Sequence, residues 1–312
     1  MYIINSTFLR LFYGLIFCGL WFAQANAWSA SFADQQSPKS VANIRPHVVA
    51  SFSILGDLVR VLGGPHLEVI TLVGADSDGH TYQPTPGDGR RLASANLVVT
   101  NGLHFEGWIP RLIESSGYRG PLVVATEGVD VLYLNGEPDP HAWQSLSNIL
   151  IYADNITQAL VQLLPVSKVD LLHRNQQFRA DVTNLQNTAR TLFNRIPVEQ
   201  RNVVTSHDAF GYLGRDYSIQ FIAPVGMSTD AQASANDIAL LIRQIKRQNI
   251  HAVFVENISD PRLITQIATE TGVSIGGSLY SDALSPPSGP ASSFLEMMQH
   301  NIVLISSALQ SS

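Results

Sequence analysis

The pattern that most restricts the fold of this chain is an alternation of short apolar runs with helical stretches, interrupted once by a long segment without a strand signal. The apolar runs are rich in Val, Ile and Leu, which is typical of buried strands. The interruption covers residues 145–196, where the only proline is Pro165. Strands that alternate with helices predict α/β layers with mostly parallel sheets. The interruption divides these layers into two lobes.

The elements before the interruption form the first group. Strands are predicted at 47–51, 67–73, 96–100 and 122–125, and helices at 54–62, at 87–95 and from Glu106 onward. The helix at 87–95 has the clearest start, because Thr85 is a good N-cap and Pro86 suits the first helical position. This group predicts an N-terminal α/β lobe at 45–165.

Two helices in series are predicted inside the interruption, because the sequence there has helical periodicity. The second has an apolar stripe at alternating steps of four and three residues, formed by Phe178, Val182, Leu185, Ala189, Leu192 and Ile196. Such a stripe fits either a surface helix that packs on one lobe or a rigid rod that joins two lobes. We expect the rod, as one long linking helix at 166–197.

The alternation resumes after the linking helix. Strands are predicted at 203–205, 218–223 and 252–256, and helices at 236–248, at 262–271 and after Pro290. These elements predict a C-terminal α/β lobe at 198–312. Two lobes also suit the length, because a single hydrophobic core rarely serves a chain of about 250–300 residues or more.

The N-terminal residues have the organisation of an export signal. Arg10 supplies a positive charge, the apolar run Leu11–Ala23 follows, and the small residues Ala25 and Ala27 form a cleavage pattern. We therefore predict a signal peptide at 1–27, cleaved after Ala27, and a periplasmic protein. A membrane anchor is the alternative interpretation of the same run. The polar residues that follow predict a disordered leader at 28–44.

The single cysteine and the net charge exclude several classes of site and partner. Cys18 lies inside the predicted signal peptide, so a metal site of the mature chain needs nitrogen and oxygen ligands. Lipidation of Cys18 is an alternative, although the bulky Phe17 before it disfavours that modification. A net charge of -6 indicates no nucleic-acid partner.

Three of the nine histidines stand in loops next to predicted element ends. His80 lies between a strand and a helix start, His141 just ahead of a helix, and His207 after a strand. Ligands of open α/β sheets bind at the carboxyl ends of strands, where Asp282 also follows an apolar run. Three imidazoles and one carboxylate are a natural closed shell for zinc. Their spacing matches no local metal motif, so capping or solvated histidines remain the alternative at this point.

Six sequence pieces, in this order, resemble the ZnuA/TroA-like metal receptors of ABC importers: GHTYQPTPGD, NGLHFEGW, DPHAW, TSHDAFGYLGRDY, VFVEN and LYSDAL. The resemblance implies two α/β lobes joined by one long helix, with the metal in the cleft between them. It places the metal ligands at His80, His141, His207 and Asp282. It further implies a receptor without enzymatic activity, which captures zinc as transported ligand and delivers it to the importer's membrane permease.

The third ligand position distinguishes the metals within this family. Manganese receptors resemble one another in a glutamate there, whereas zinc receptors have histidine, as His207 is here. A third imidazole also favours zinc over the harder manganese ion. The segment Glu127–Asp139 is short and lacks the histidine-rich loop of common zinc receptors. The absence of this loop resembles the AztC type of zinc receptor, and that resemblance implies a periplasmic zinc metallochaperone as donor. We expect the receptor to be a monomer.

Three other functions remain as alternatives. A receptor of the same fold for manganese or another divalent metal has the same architecture, and an adhesin of this fold is also compatible with it. A zinc-dependent hydrolase requires a base such as Asp282 or Glu256 and an open coordination position. Four neighbours are candidates for contacts around the metal ligands, namely His104, Asp139, Asp208 and Glu256.

Overall fold

Four parallel strands form the first sheet of the computed structural model, which describes residues 45–310. The predicted signal peptide with Cys18 and the predicted leader at 28–44 lie outside the described residues. The order of the strands is β2-β1-β3-β4, with β1 at His47–Phe52, β2 at Glu68–Val73, β3 at Leu97–Thr100 and β4 at Leu122–Val124. Val49 of β1 pairs with Ile70 and Val98, so β1 lies between β2 and β3, and its residues after His47 are buried.

Three helices connect these strands: α1 at Ser53–Gly63, α2 at Pro86–Ala93 and α3 at Ile109–Ser116. The predicted start of α2 is confirmed, because the Thr85 hydroxyl accepts from the Asp88 amide and the Asp88 carboxylate accepts from the Thr85 amide. This reciprocal pair is a capping box, which satisfies two backbone donors at the helix end.

The predicted start of α3 at Glu106 is wrong, since the helix begins at Ile109. Leu103 and His104 have left-handed φ values of 52° and 65° and turn the chain sharply after β3. The buried Glu106 carboxylate accepts from the amides of Asn101 and Gly102, and therefore stabilises this turn instead of starting the helix. The sharp turn delays the helix by about one turn.

A small hairpin before His141 was not predicted from the sequence. Its strands are β5 at Tyr133–Leu134 and β6 at Glu137–Pro138, and they pair in antiparallel orientation. Asn135 and Gly136 between them have φ values of 54° and 88°, which is the conformation that an Asn-Gly turn supplies. This dipeptide is the sequence signal that identifies the hairpin.

The middle of the chain forms two helices in series, as predicted: α4 at Asn148–Leu163 and α5 at Lys168–Phe193. The apolar stripe of α5 buries Phe178, Val182, Leu185 and Ala189. The helix ends at Phe193, and Ile196 is buried beyond its end. α5 packs on α1 and α4 of the first lobe and on two helices of the second lobe.

The second sheet is also entirely parallel, in the order β10-β9-β7-β8. Its strands are β7 at Asn202–Val204, β8 at Gln220–Ile222, β9 at Ala252–Glu256 and β10 at Ile275–Leu279. The helices of this lobe are α6 at Gly211–Tyr217, α7 at Ala235–Gln248, α8 at Arg262–Thr271 and α9 at Phe294–Gln310. α6 and α9 are the two helices that α5 contacts here. The predicted fold class, two α/β lobes with parallel sheets and one long helix, is confirmed.

A membrane-spanning helix within residues 45–310 has to be both long enough and apolar enough. No single helix meets both conditions, and only the segments Asn148–Leu163 and Pro165–Phe193 meet them together, as a pair bent by 119°.

One buried arginine holds the ends of two helices together. The guanidinium of Arg201, which is 8% exposed, donates from Nε and Nη2 to the carbonyl of Ile196 just after α5. Nη1 donates to the carbonyl of Tyr217 at the end of α6. Carbonyls at helix ends have no partner inside the helix, and the negative end of the helix dipole attracts a cation.

We expect Arg201→Ala to lower the free energy of unfolding by about 3 kcal/mol, because it leaves buried carbonyls without donors. Urea denaturation of the purified variant measures this change. The matched control is Arg243→Ala on the exposed side of α7, for which we expect a change within about 0.5 kcal/mol. Equal effects of the two substitutions contradict the role of Arg201.

Candidate metal centre

The four residues singled out in the sequence meet between the two lobes. His80 follows β2 and His141 follows β6 in the first lobe, while His207 follows β7 and Asp282 follows β10 in the second. One ligand atom from each side chain lies within 4.8 Å of all the others. The side chain of His80 is 5% exposed and the other three are essentially inaccessible to solvent.

The distances between these atoms suit a small tetrahedral cation. Nε2 of His80 lies 3.2 Å from Nε2 of His141. Asp282 Oδ2 lies 3.4 Å from His80 Nε2 and 3.3 Å from His207 Nε2, and its Oδ1 lies 3.7 Å from His141 Nε2. Four ligands at zinc-nitrogen and zinc-oxygen distances in a tetrahedron lie about 3.3 Å from one another.

Three of the converging atoms are buried and have no hydrogen-bond partner among residues 45–310: His207 Nε2 and both carboxylate oxygens of Asp282. A buried carboxylate without donors is costly, because it has lost its hydration. A cation bound at the centre of the four side chains satisfies all three atoms. The donor chemistry and the unpaired atoms therefore fit a divalent metal ion.

The charges at the centre are strongly coupled. Burial alone raises the pKa of Asp282, but the positive charges of His207 and His141 outweigh it and hold that pKa well below its usual range. Burial opposes charge on His207 as well, yet Glu256 and Asp282 raise its pKa well above the usual value for histidine. Without a metal, the negative charge of the centre therefore keeps a proton on His207.

Carboxylates hold the outer nitrogens of two of the imidazoles. Glu256 Oε2 lies 2.6 Å from Nδ1 of His207, and its Oε1 accepts from the amides of Ser206 and His207. Asp139 Oδ1 lies 2.8 Å from Nδ1 of His141 and also accepts from the His141 amide. A carboxylate at Nδ1 places the ring proton there and directs the lone pair of Nε2 toward the centre.

The topology of the second sheet explains why Glu256 and His207 meet. Glu256 is the last residue of β9, and His207 comes shortly after β7, its neighbour in the sheet. β8 lies on the other side of β7, so the chain order reverses between β7 and β9. The carboxyl ends of strands at such a reversal form the usual crevice for ligands in open α/β sheets.

The other two candidate neighbours do not join the centre. His104 is exposed and has a left-handed backbone. The Asp208 carboxylate makes no hydrogen bond to His207 within residues 45–310, although its backbone amide donates to the Gly226 carbonyl. Adjacency to a ligand in the sequence was therefore a poor guide for Asp208, although it correctly indicated Asp139.

Two residues that the sequence reasoning did not single out support the Asp282 loop across the cleft. Trp143 Nε1 and Gln144 Nε2 both donate to the carbonyl of Ser281, at 2.8 and 2.7 Å. The Trp143 ring also packs edge-on against His141. Both residues lie within three positions of His141 in the sequence. This closeness to a candidate ligand was the sequence signal that could have identified them.

The His80 loop is held from both lobes. Asp78 Oδ1 accepts from the His80 amide, and Asp78 Oδ2 accepts from the hydroxyls of Thr81 and, across the cleft, Thr229. On the outer side, the indole Nε1 of Trp108 donates to the carbonyl of Gly79 at 2.9 Å. The position of His80 therefore depends on contacts with both lobes.

Comparison with known proteins identifies the relatives of this chain. Residues 48–308 match the model of a family described as ZnuA, zinc-uptake complex component A, periplasmic. The iron-binding protein YfeA of Yersinia pestis is 32% identical over 308 residues, 96% of each chain. The manganese ABC transporter substrate-binding lipoprotein scaA of Streptococcus gordonii is 27% identical over 291 residues, 90% of this chain and 94% of its own length.

Solved structures share the architecture. The periplasmic zinc-binding protein TroA from Treponema pallidum superposes with a TM-score of 0.82 at 28% identity, covering 85% of this chain and 99% of TroA. A manganese-bound periplasmic metal-binding protein from Candidatus Liberibacter asiaticus gives a TM-score of 0.78 at 30% identity, covering 85% of this chain and 100% of that protein. The named metals of these relatives differ, whereas their fold does not.

We expect Glu256→Gln to weaken binding of a divalent metal ion by about 10- to 100-fold, because an amide no longer fixes the tautomer of His207. Competition against a chelator of known affinity measures this effect, and thermal denaturation of the metal-free variant reports its folding. The matched control is Glu270→Gln on the exposed surface of α8, for which metal affinity stays that of the wild type. Unchanged affinity of Glu256→Gln contradicts a role of this carboxylate in holding the ligand.

Proposed function

Because the chain belongs to the ZnuA family of periplasmic metal-uptake components, we propose that it captures zinc outside the cytoplasm and delivers it to the permease of an ABC importer. The observation that carries the proposal is the closed group of three imidazoles and one carboxylate. The relatives of this chain are substrate-binding proteins of metal ABC transporters, a class that binds and delivers metal ions without catalysis.

The ligand set supports zinc as the transported ion. We propose His80 and His141 from the lobe at 45–165 and His207 and Asp282 from the lobe at 198–312 as the four ligands, with 166–197 as the linking segment. Three neutral nitrogens and one carboxylate form a soft, closed shell, whereas manganese favours more oxygen ligands. His207 is the residue on which this selectivity depends.

A receptor for manganese, iron or another divalent metal is the second candidate. The names of the relatives favour it, since they include an iron-binding protein and a manganese lipoprotein as well as a zinc-binding protein. The same buried group accommodates another divalent ion at some cost in geometry. Zinc and this wider selectivity differ in one measurable quantity, the ratio of the dissociation constants.

The periplasmic location and the donor are further parts of the proposal. The predicted signal peptide at 1–27 supports export. Because a relative is a lipoprotein, the alternative is that Cys18 is lipidated and the lipid anchors the exported protein to a membrane. The short segment Glu127–Asp139, without histidine, supports an AztC-type receptor that takes zinc from a periplasmic metallochaperone. We propose that the receptor acts as a monomer.

A zinc-dependent hydrolase has little support from the geometry. Catalytic zinc keeps one coordination position open for water or substrate. Here four protein ligands converge, and even the most exposed of them, the His80 side chain, is only 5% exposed. The carboxylate of Glu256, the other candidate base, is engaged by His207 and by two backbone amides.

Metal analysis of the purified mature protein, followed by competitive titration with zinc and manganese, tests the proposed function. We expect one zinc per chain and no bound metal after His141→Ala. His104→Ala, at an exposed histidine outside the centre, is the matched control and keeps the wild-type stoichiometry. Full zinc binding by His141→Ala contradicts the ligand assignment.

We expect His207→Glu to shift the preference from zinc toward manganese by at least about tenfold in the ratio of dissociation constants. A second carboxylate hardens the ligand set, and it also lies against Glu256, which no longer finds a ring N–H. Parallel titrations of wild type and variant with both metals measure the ratio. An unchanged ratio shows that residue 207 does not set selectivity.

Zinc affinity is expected to rise with pH. The pKa of His207 in the metal-free protein is raised well above its usual value, and zinc must displace that proton. Below this pKa the logarithm of the affinity therefore increases by about one per pH unit for each proton displaced, and above it the increase levels off. Chelator competition over a pH series measures the slope. A flat profile from pH 5 to 8 contradicts a protonated imidazole in the metal-free centre.

A further inference from the structure

A groove of about 680 Å³ lies between α2 and α3, on the outer side of the His80 loop. Its wall is formed by both helices and by the segment before α2. The lining includes Pro84, Ala93, Trp108, Leu112 and the two arginines Arg90 and Arg111. The centre described above uses none of these side chains as a ligand.

The two arginines give this groove a local positive charge. Arg90 and Arg111 are exposed and form no ion pair within residues 45–310. The nearest acid on α2, Asp88, is buried and engaged by Thr85, Tyr82 and Arg91. The chain as a whole has a net charge of -6, so the groove is a local basic site on an acidic protein.

The shape and composition of the groove suit a peptide segment. Trp108, Leu112 and Ala93 offer apolar contacts, while the arginines offer planar guanidinium groups that bind carboxylates in a bidentate manner. Anionic membranes, by contrast, recruit clusters of about 4–8 basic residues, and two arginines in a concave groove fall short of that.

We propose that the groove between α2 and α3 docks an acidic, partly apolar segment of the importer's membrane permease. The inference rests on the proposed function only for the identity of the partner. Charge complementarity is its basis: two unpaired guanidiniums on facing helices fit two carboxylates of the partner.

The groove is structurally connected to the metal centre. Trp108 lines the groove, and its indole N–H donates to the Gly79 carbonyl next to His80. The ring of Tyr82 packs against Trp108 with 5.1 Å between centroids, and its hydroxyl donates to Asp88. A segment docked in the groove therefore contacts the residues that hold the His80 loop.

The double variant Arg90→Glu/Arg111→Glu tests the proposal in the full-length chain, expressed with the importer of its own organism in cells without other zinc importers. We expect zinc uptake at limiting receptor to fall by at least about tenfold, because both charge pairs become repulsive. Zinc affinity of the purified variant remains that of the wild type. Arg90→Lys/Arg111→Lys, which keeps the charge, retains most of the uptake.

Arg243→Glu/Arg247→Glu on the exposed face of α7 is the matched control, since it changes the charge of the protein equally. A photoreactive benzoylphenylalanine at Ser115, on the edge of the groove, identifies the occupant by mass spectrometry of the cross-linked product. We expect a permease segment that contains Asp or Glu, and we expect the cross-link to be lost in Arg90→Glu/Arg111→Glu.

Several results overturn the proposal: wild-type uptake by the groove variant, an equal loss of uptake in the α7 control, or a cross-link only to lipid or to a segment without acidic residues. Failure of the proposed function looks different, because wild-type protein then binds no zinc. The cross-link from Ser115 still decides in that case whether an acidic segment occupies the groove.

Discussion

The burial of three imidazoles and one carboxylate at a single point between the lobes is the constraint on which the rest of the structure depends. Both oxygens of Asp282 and Nε2 of His207 have no hydrogen-bond partner within residues 45–310. Such an arrangement is costly in a protein interior unless a cation or a proton compensates it. Glu256 and Asp282 raise the pKa of the buried His207, which favours a proton on its ring in the absence of metal. Metal binding therefore replaces one form of charge compensation by a stronger one.

The two sheets position the metal centre in the same way. Each is parallel, so the loops after its strands share one edge, and the two edges face each other. Buried carboxylates then fix the loops themselves: Glu256 accepts from the amides of Ser206 and His207, and Glu106 accepts from the amides of Asn101 and Gly102. Asn101 in turn donates to the carbonyl of Pro140, next to His141. Each lobe thus uses one buried glutamate to hold a loop near the centre.

Much of this organisation was predictable from the sequence. Strand β9 and helix α8 were predicted with their observed bounds, because strand β9 is a continuous apolar run and helix α8 has clear periodicity. The α3 start was not predictable, since Leu103 and His104 adopt a left-handed backbone that is uncommon for residues other than glycine, and nothing in the sequence pattern indicates it. The same limit applies to the metal centre. Positions in loops made four residues candidates, and only the resemblance to metal receptors made the ligand assignment specific. These residues are His80, His141, His207 and Asp282. The support from Trp143 and Gln144 to Ser281 crosses the cleft and leaves no periodic signal.

The four ligands are not equally constrained, and the difference bears on release of the metal. His141 and His207 each have a carboxylate at Nδ1, and Asp282 lies in a loop held by Trp143 and Gln144. For His80 no carboxylate contacts Nδ1 within residues 45–310, and its side chain is the most exposed of the four. Its position depends on Asp78, whose bond to Thr229 spans the cleft, and on Trp108. A change in the relation of the lobes therefore acts on His80 and Asp282, whose supports cross the cleft, while His141 and His207 keep the carboxylates of their own lobes.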